Sequence, residues 1–208
     1  MVRLLYGVGV NDADYVTQSK RIVGHKPDGR RIYKTLWTCP FYRSWANMMT
    51  RCYNKSALER CKTYQPCSVA EEWHRFSAFK EWMQLQDWKG KSLDKDLLVP
   101  GNKVYGPEFC VFISSRVNTF LIERQSERGP YPIGVYYNKR DKRFIAQCNC
   151  VDSDGKKIIG RYHSADEAHD AWVGYKLEQA RLLAAIQDDP RVAKALIARY
   201  ENYVDFNR

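Results

Sequence analysis

GVYYNKRDKRFIAQCNCVDSDGKKIIGRYHSADEAHDAWVGYKLEQA, residues 134–180, decides the fold of the C-terminal part of the chain. Three short runs alternate between apolar and polar residues, with charged or glycine-containing turns between them, and they predict half-buried β-strands. An alanine-rich helical pattern follows. Ser164 precedes Asp166 and Glu167, a combination that marks a helix start, because serine caps the first free N–H groups and carboxylates complement the helix dipole. The stretch therefore predicts a three-stranded sheet packed on one helix.

The exposed positions of these strands and turns are mostly basic. They are Tyr136, Tyr137, Lys139, Arg140, Lys142, Arg143, Gln147 and Arg161. Lysine and arginine neutralise phosphates, whereas arginine and glutamine can also donate hydrogen bonds to base edges in the major groove. We therefore predict a DNA-binding face on this sheet; the alternative is a charged face that is merely solvated.

The motifs G-V-Y-Y-x-K-x-x-x-R-F-x-A-Q, I-I-G-R-Y and S-A-D-E-A-H-D-A-W occur here in the order in which plant ethylene-response-factor DNA-binding domains have them. The stretch resembles that family, and the resemblance covers roughly a quarter of the chain. It implies a three-stranded antiparallel sheet on a helix, which contacts the major groove of double-stranded DNA through the sheet. Phe144 stands where the family frequently has tryptophan.

The composition favours a polyanionic partner. The chain has 208 residues, with 34 Lys and Arg against 24 Asp and Glu, a formal charge of +10 and a pI near 9.2. Basic proteins bind nucleic acids partly by releasing condensed counterions. The sequence has neither an apolar run of transmembrane length nor a secretory signal pattern, so we expect a cytoplasmic protein without a membrane partner.

The preceding residues predict an α+β region. Residues 13–38 form a hairpin pattern around the turn KPDG, and residues 41–54 and 69–85 carry aromatic stripes at helical spacing, which we interpret as core. Residues 55–69 read as irregular. SLDKDLLV (92–99) and FCVFI (109–113) are strand patterns on either side of a turn-rich loop, and a helix at 114–125 is capped by Ser114 or Ser115. A last helix follows Pro190.

The segment LDKDLLVPGNKVYGPEFCVFISSRVN, residues 93–118, resembles the ββα-metal finger of HNH nucleases. Residues 42–54 and 64–83 are similar to the helices that precede this finger in phage-encoded homing-endonuclease-like proteins, which often carry an ethylene-response-type domain as well. The resemblance implies an HNH-like region at 1–126, a linker at 127–131 and a DNA-binding domain with a trailing helix at 132–208. It also implies double-stranded DNA cleavage with Mg²⁺ in the cytoplasm of an infected bacterial host.

Carried onto this chain, the finger places Asp94 or Lys95, depending on register, at the position of the general-base histidine. Asp94, Asp96 and Asn118 become the metal ligands, and Lys95 and Lys103 contact phosphate. The sequence has no histidine between His74 and His163, and aspartate is a weak base near pH 7 because its ordinary pKa is about 3.9. Two alternatives to a nuclease stay open: a catalytically inactive, HNH-derived DNA-binding regulator, and a phage factor that binds a host protein. His74 could supply the base if its helix folded over the finger.

Seven cysteines are present, and none of the spacings between Cys39 and Cys67 is a C-x2-C knuckle. We expect buried, reduced thiols rather than a structural zinc site. Cys148 and Cys150 share one face of a strand, and we predict that they pack against the following helix.

Overall fold

A computed structural model describes residues 4–122, 129–150 and 155–203. The chain divides into two compact units, Met1–Phe112 and Ile113–Arg208. Its strands are β1 (Gln18–His25), β2 (Arg31–Thr38), β3 (Ser68–Val69), β4 (Ser92–Asp94), β5 (Val104–Tyr105), β6 (Val111–Ile113), β7 (Val135–Asn138), β8 (Arg143–Asn149) and β9 (Lys156–Tyr162). Its α-helices are α1 (Pro40–Tyr53), α2 (Lys55–Arg60), α3 (Phe76–Gln84), α4 (Ser115–Leu121), α5 (Ala165–Ala184) and α6 (Pro190–Glu201). The predicted α+β class is confirmed.

The predicted N-terminal hairpin is present. β1 and β2 pair antiparallel, and the Lys26 N–H donates to the Arg30 carbonyl at 2.8 Å to close the turn. Gly29 has φ +77°, in the left-handed region that glycine enters without steric cost.

An aromatic core holds the first unit together. Trp45 from α1 is fully buried against Phe76 of α3, and its indole N–H donates to the Trp73 carbonyl at 2.7 Å. The predicted apolar stripes of α1 and α3 are therefore core, with Tyr42 and Trp82 half-buried at its margin.

The predicted helix at 69–85 is wrong at its N-terminal end, because α3 begins only at Phe76. The carbonyls of Trp73 and His74 are bound by the Trp45 indole and the Val10 N–H, so they are not available to a helical turn. In place of the first part of the predicted helix, the chain forms β3, which pairs in parallel with β5, and a short 3-10 helix, Glu71–His74.

The segment at 55–69 was predicted to be irregular, but it contains α2 and a 3-10 turn, Lys62–Tyr64. Asn54 starts α2, since its side-chain oxygen accepts from the Ala57 N–H at 2.9 Å. Asn54 therefore works as the N-terminal cap of α2.

The two strands predicted at 92–99 and 109–113 are both shorter than expected. β4 stops at Asp94, because the Asp94 Oδ1 accepts from the N–H groups of Asp96 and Leu97 and turns the chain. The second predicted strand contributes only β6, which pairs with β4. α4 is capped by Ser114 and ends at Leu121; the remainder of that predicted helix, 123–125, lies outside the described residues.

The second unit contains the predicted sheet–helix motif. Its sheet is antiparallel in the order β7-β8-β9. Ser164 and Glu167 form a capping box at the start of α5, in which each side chain accepts from the other's backbone N–H. Gly134, with φ +80°, lies directly against the Trp172 indole of α5.

α4 belongs to the second unit, whereas the domain prediction placed it in the first. The buried Lys176 of α5 donates to the Phe120 carbonyl of α4 at 2.8 Å, and the Phe120 ring meets Tyr200 of α6 at 5.4 Å. Part of the predicted linker, residues 127 and 128, lies outside the described residues. None of the helices in the described ranges is long and apolar enough to cross a membrane.

Candidate nucleic-acid interface

Strand register brings four of the predicted DNA-binding residues onto one face of the sheet. Tyr136 and Arg161 both pair with Ile145, one from each side. Arg143 and Gln147 lie two residues before and after Ile145 on β8, and therefore point the same way. The ladder irregularity beside Ala146 falls on β9, so the alternation of β8 is unbroken. We call Tyr136, Arg143, Gln147 and Arg161 the basic face.

Tyr137 lies on the opposite face. It pairs with Phe144, and its ring packs on Phe144 at 5.0 Å, with Tyr131 against the same phenylalanine at 5.2 Å. Phe144 thus anchors an aromatic cluster on this side of the sheet. Tyr137 therefore lies outside the basic face.

The two cysteines at the end of β8 pack as predicted. Cys148 is buried, and the Cys150 sulfur lies 3.4 Å from the Tyr175 hydroxyl of α5. Burial raises the pKa of the Cys148 thiol, against the opposing charge of Lys176. Cys148 is therefore a neutral packing residue at neutral pH.

Lys139, Arg140 and Lys142 project from the tight turn between β7 and β8, and all three are exposed. Asn138 organises this turn, since its side-chain oxygen accepts from the N–H of Arg140 at 3.0 Å and of Asp141 at 3.2 Å. The turn therefore adds three cations at one end of the basic face.

Asp141 also takes part in this turn, although it was not among the predicted site residues. Its carboxylate pairs with Arg140 at 3.0 Å and approaches the Arg161 Nε at 3.9 Å. The Arg161 side chain is 61% exposed, and an exposed ion pair contributes only about 0–1 kcal/mol. A DNA phosphate can therefore replace Asp141 as the partner of Arg161 at little cost.

Of the predicted catalytic residues, Asp94 ends β4 and Lys95 begins the turn after it. Burial raises the pKa of Asp94, and the charge of Asp96 raises it further, against two backbone N–H donors that favour the carboxylate. Lys95 is buried, and its ammonium bonds the Asp96 Oδ2 at 3.0 Å. Burial alone would lower the pKa of Lys95, but this bond and the neighbouring negative charges raise it overall. Lys95 is thus an internal ion-pair partner rather than an exposed phosphate contact.

The loop that follows is fixed by a residue that the sequence analysis did not single out. The Asn102 amide donates to the carbonyls of Lys95 and Val104, both at 2.7 Å, and its oxygen accepts from the Val104 N–H. Lys103, the predicted phosphate contact, is exposed on this loop.

The donors for a metal are fewer than predicted. Asp94 and Asp96 each keep one carboxylate oxygen outside the bonds above, and Mg²⁺ prefers such hard oxygens. Asn118 is exposed on α4 in the second unit. In the described ranges no group of three His, Cys, Asp or Glu side chains could hold a metal ion. Asp94 and Asp96 are therefore suitable types of ligand for Mg²⁺, but they are fewer than the three ligands predicted.

His74 has a structural position. Its Nε2 lies 3.1 Å from the Val69 carbonyl and 3.5 Å from the Tyr53 hydroxyl, and Tyr53 in turn accepts from the Val69 N–H at 3.0 Å. This network connects the 3-10 helix to β3 and α1, so the His74 Nε2 already has hydrogen-bond partners.

The cysteines of the first unit are buried, apart from Cys61, which is exposed. Burial raises the pKa of Cys52 and of Cys110 to about 12, and it raises the pKa of Cys67 as well. A metal-binding thiolate needs the opposite shift, so these cysteines are packing residues at neutral pH.

A basic cleft of about 260 Å³ lies beside α1 in the first unit. Arg43, Asn47 and Arg51 line one wall at helical spacing, and Trp88 and Lys91 belong to the other. Only the apolar core stripe of α1 was predicted from the sequence. The i, i+4, i+8 recurrence of polar residues beside that stripe was the signal that could have predicted the cleft.

No family model, no curated protein and no solved structure matches this chain.

Proposed function

We propose that this protein binds double-stranded DNA, with the basic face of β7–β9 against the major groove. The observation that carries the proposal is the shared orientation of Arg143, Gln147 and Arg161, which the register places on one side of the sheet. Arginine can pair bidentately with guanine and glutamine with adenine, and the major groove is wide enough to admit β-strands.

The charge distribution supports the same proposal. The chain carries a net +10, and the turn residues Lys139, Arg140 and Lys142 extend the cationic surface at the edge of the basic face. Phosphate contacts of this kind fix the orientation of a protein on the duplex, whereas the base-edge donors supply the sequence preference. The proposed DNA-binding surface therefore combines cations that contact phosphates with side chains that donate to base edges.

Wild-type protein should therefore bind a fluorescently labelled DNA duplex with an affinity that falls steeply as salt rises. Each phosphate neutralised releases counterions, so five or six contacts predict a loss of roughly a thousandfold between about 50 and 200 mM salt. Fluorescence anisotropy over that range measures the slope. A measurable affinity that does not change with salt would instead favour the alternative of a host-protein partner.

A second candidate function is metal-dependent cleavage, and the raised pKa of Asp94 favours it. A general base works best when its pKa approaches the operating pH, so a carboxylate with a raised pKa partly compensates for the missing histidine. Asp94 would act as the base or, with Asp96, supply oxygens to Mg²⁺, which usually keeps several water ligands. The metal would stabilise the charge that develops on the phosphate.

If this candidate is correct, Asp94→Asn should abolish Mg²⁺-dependent nicking of a plasmid while leaving duplex affinity unchanged. Asparagine keeps the oxygen that accepts from the N–H groups of Asp96 and Leu97, so the turn should survive. Asp94→Ala would also lose that acceptor, at a cost of about 1–3 kcal/mol in stability.

Glu59→Gln, an exposed carboxylate on α2, is the control for loss of one negative charge. If the Asp94→Asn variant nicks plasmid at the wild-type rate, Asp94 is not part of a catalytic site. If wild-type protein leaves plasmid intact both with Mg²⁺ and with EDTA, the protein binds DNA without cleaving it, as the alternative of an inactive DNA-binding regulator predicts.

A further inference from the structure

The hairpin of β1 and β2 is an exposed and strongly cationic ribbon; we call residues 18–38 the basic ribbon. Its cations are Lys20, Arg21, Lys26, Arg30, Arg31 and Lys34. Asp28 is its one carboxylate, and Asp28 already pairs with Arg30 across the turn. The ribbon therefore presents an almost uncompensated positive charge.

The strand register makes this charge costly. Arg21 pairs directly with Lys34, so two cations lie opposite each other across the hairpin. Like charges in directly opposite positions destabilise a hairpin, and among the described residues Arg21 and Lys34 have no carboxylate partner. A bound anion would relieve this repulsion, which makes the arrangement favourable in a complex and unfavourable without one.

The ribbon has the shape for a groove. Within the first unit, β1 and β2 contact chiefly each other, and its base is fixed by the Cys39 N–H, which donates to the Thr17 carbonyl at 2.9 Å. Apolar side chains are exposed along it, with Tyr33 at 54% and Trp37 at 50%. A two-stranded ribbon fits the major groove of B-form DNA, where apolar side chains can meet thymine methyl groups.

We propose that the basic ribbon is a second DNA-contacting element, which lies in the major groove of a duplex with Arg21 and Lys34 on phosphates. The proposal rests on the proposed duplex binding, and it adds a contact in the first unit to the basic face of the second. The excess of cations favours DNA over a protein with an apolar docking surface, because the exposed apolar residues are flanked by charges that a protein partner would have to neutralise.

Arg21→Gln with Lys34→Gln, made in the full-length chain, should weaken duplex binding at least tenfold at about 100 mM salt. The slope of log affinity against log salt should fall by roughly 2, since each phosphate contact contributes about 0.9. The melting temperature should stay the same or rise, because the substitution removes a like-charge pair. Loss of affinity without loss of stability separates a DNA contact from a structural role.

Lys55→Gln with Lys89→Gln is the matched control, because both lysines are exposed in the first unit and outside the ribbon. An equal loss of affinity in this control would overturn the proposal in favour of general charge attraction. A duplex RNA of the same length should compete poorly, because the major groove of A-form RNA is too narrow for side chains to enter.

DNA contact by the basic ribbon and DNA binding by the sheet are refuted by different results. If the ribbon variant keeps wild-type affinity and salt slope while Arg143→Ala with Arg161→Ala loses affinity, the ribbon contact is refuted and sheet-mediated binding stands. If wild-type protein binds no duplex, both are refuted. If the ribbon variant binds normally, and Ile22→Ser with Tyr33→Ser converts a wild-type dimer to a monomer in sedimentation, the ribbon is an interface between copies of the chain.

Discussion

Gly134→Ala should lower the free energy of unfolding of the second unit by about 3 kcal/mol or more. Gly134 has φ +80°, and an added Cβ would lie 2.0 Å from the Trp172 indole. The left-handed backbone costs a residue with a side chain about 1–2 kcal/mol, and overpacking of a well-packed core costs about 1–3 kcal/mol. The two costs act at the same position.

Trp172 cannot move without disturbing its neighbours. It is buried and stacks on His169 with ring centroids 5.6 Å apart. His169 is itself fixed by a 3.0 Å contact between its Nδ1 and the Ile133 carbonyl, one residue before Gly134. A displaced indole would therefore loosen the chain at the entrance to β7 as well as the packing of the sheet on α5.

Gly174→Ala is the matched control, because it lies on the same helix as Trp172 and its added Cβ would meet nothing within 4 Å. Alanine in a helix interior should stabilise the unit by about 0.5–1 kcal/mol relative to glycine. Urea denaturation followed by near-ultraviolet circular dichroism measures both variants. A Gly134→Ala protein as stable as wild type would contradict the close approach of β7 and α5.

The second unit was predictable because local signals in its sequence agree with its packing. Period-two alternation gave the three strands, and Ser164 with Glu167 gave the start of α5, since both residues act within a single turn. The same alternation did not reveal which predicted DNA-binding residues share a face. Tyr136 and Tyr137 are neighbours in sequence, and only the pairing of Tyr136 with Ile145 assigns it to the side of Arg161.

The first unit was less predictable because distant residues determine its local structure. α3 begins at Phe76 rather than at 69 because the Trp73 carbonyl is bound by Trp45, which is far away in the sequence. No periodicity within 69–85 contains that information. The role of Asp94 was missed for a related reason: a strand pattern does not show that a side chain will bond its own backbone and end the strand.

Arg143→Ala with Arg161→Ala should weaken duplex DNA binding more than tenfold, a loss of about 1.4 kcal/mol or more. Both guanidinium groups lie on the basic face, and removing them deletes two phosphate or guanine contacts at once. The fold should be unaffected, because within the described residues the hydrogen bonds and ion pairs of the Arg143 and Arg161 side chains go only to the Lys142 carbonyl and the Asp141 carboxylate. Near-ultraviolet circular dichroism of the variant checks this.

The most direct test of sheet-mediated DNA binding compares three proteins by fluorescence anisotropy on one labelled duplex at about 100 mM salt. They are wild type, Arg143→Ala with Arg161→Ala, and a control, Lys89→Ala with Lys194→Ala, which removes the same charge from exposed positions outside the sheet. We predict that the sheet variant loses more than tenfold in affinity, while the control stays within about threefold of wild type. Equal affinities for a folded sheet variant and wild type would contradict the account.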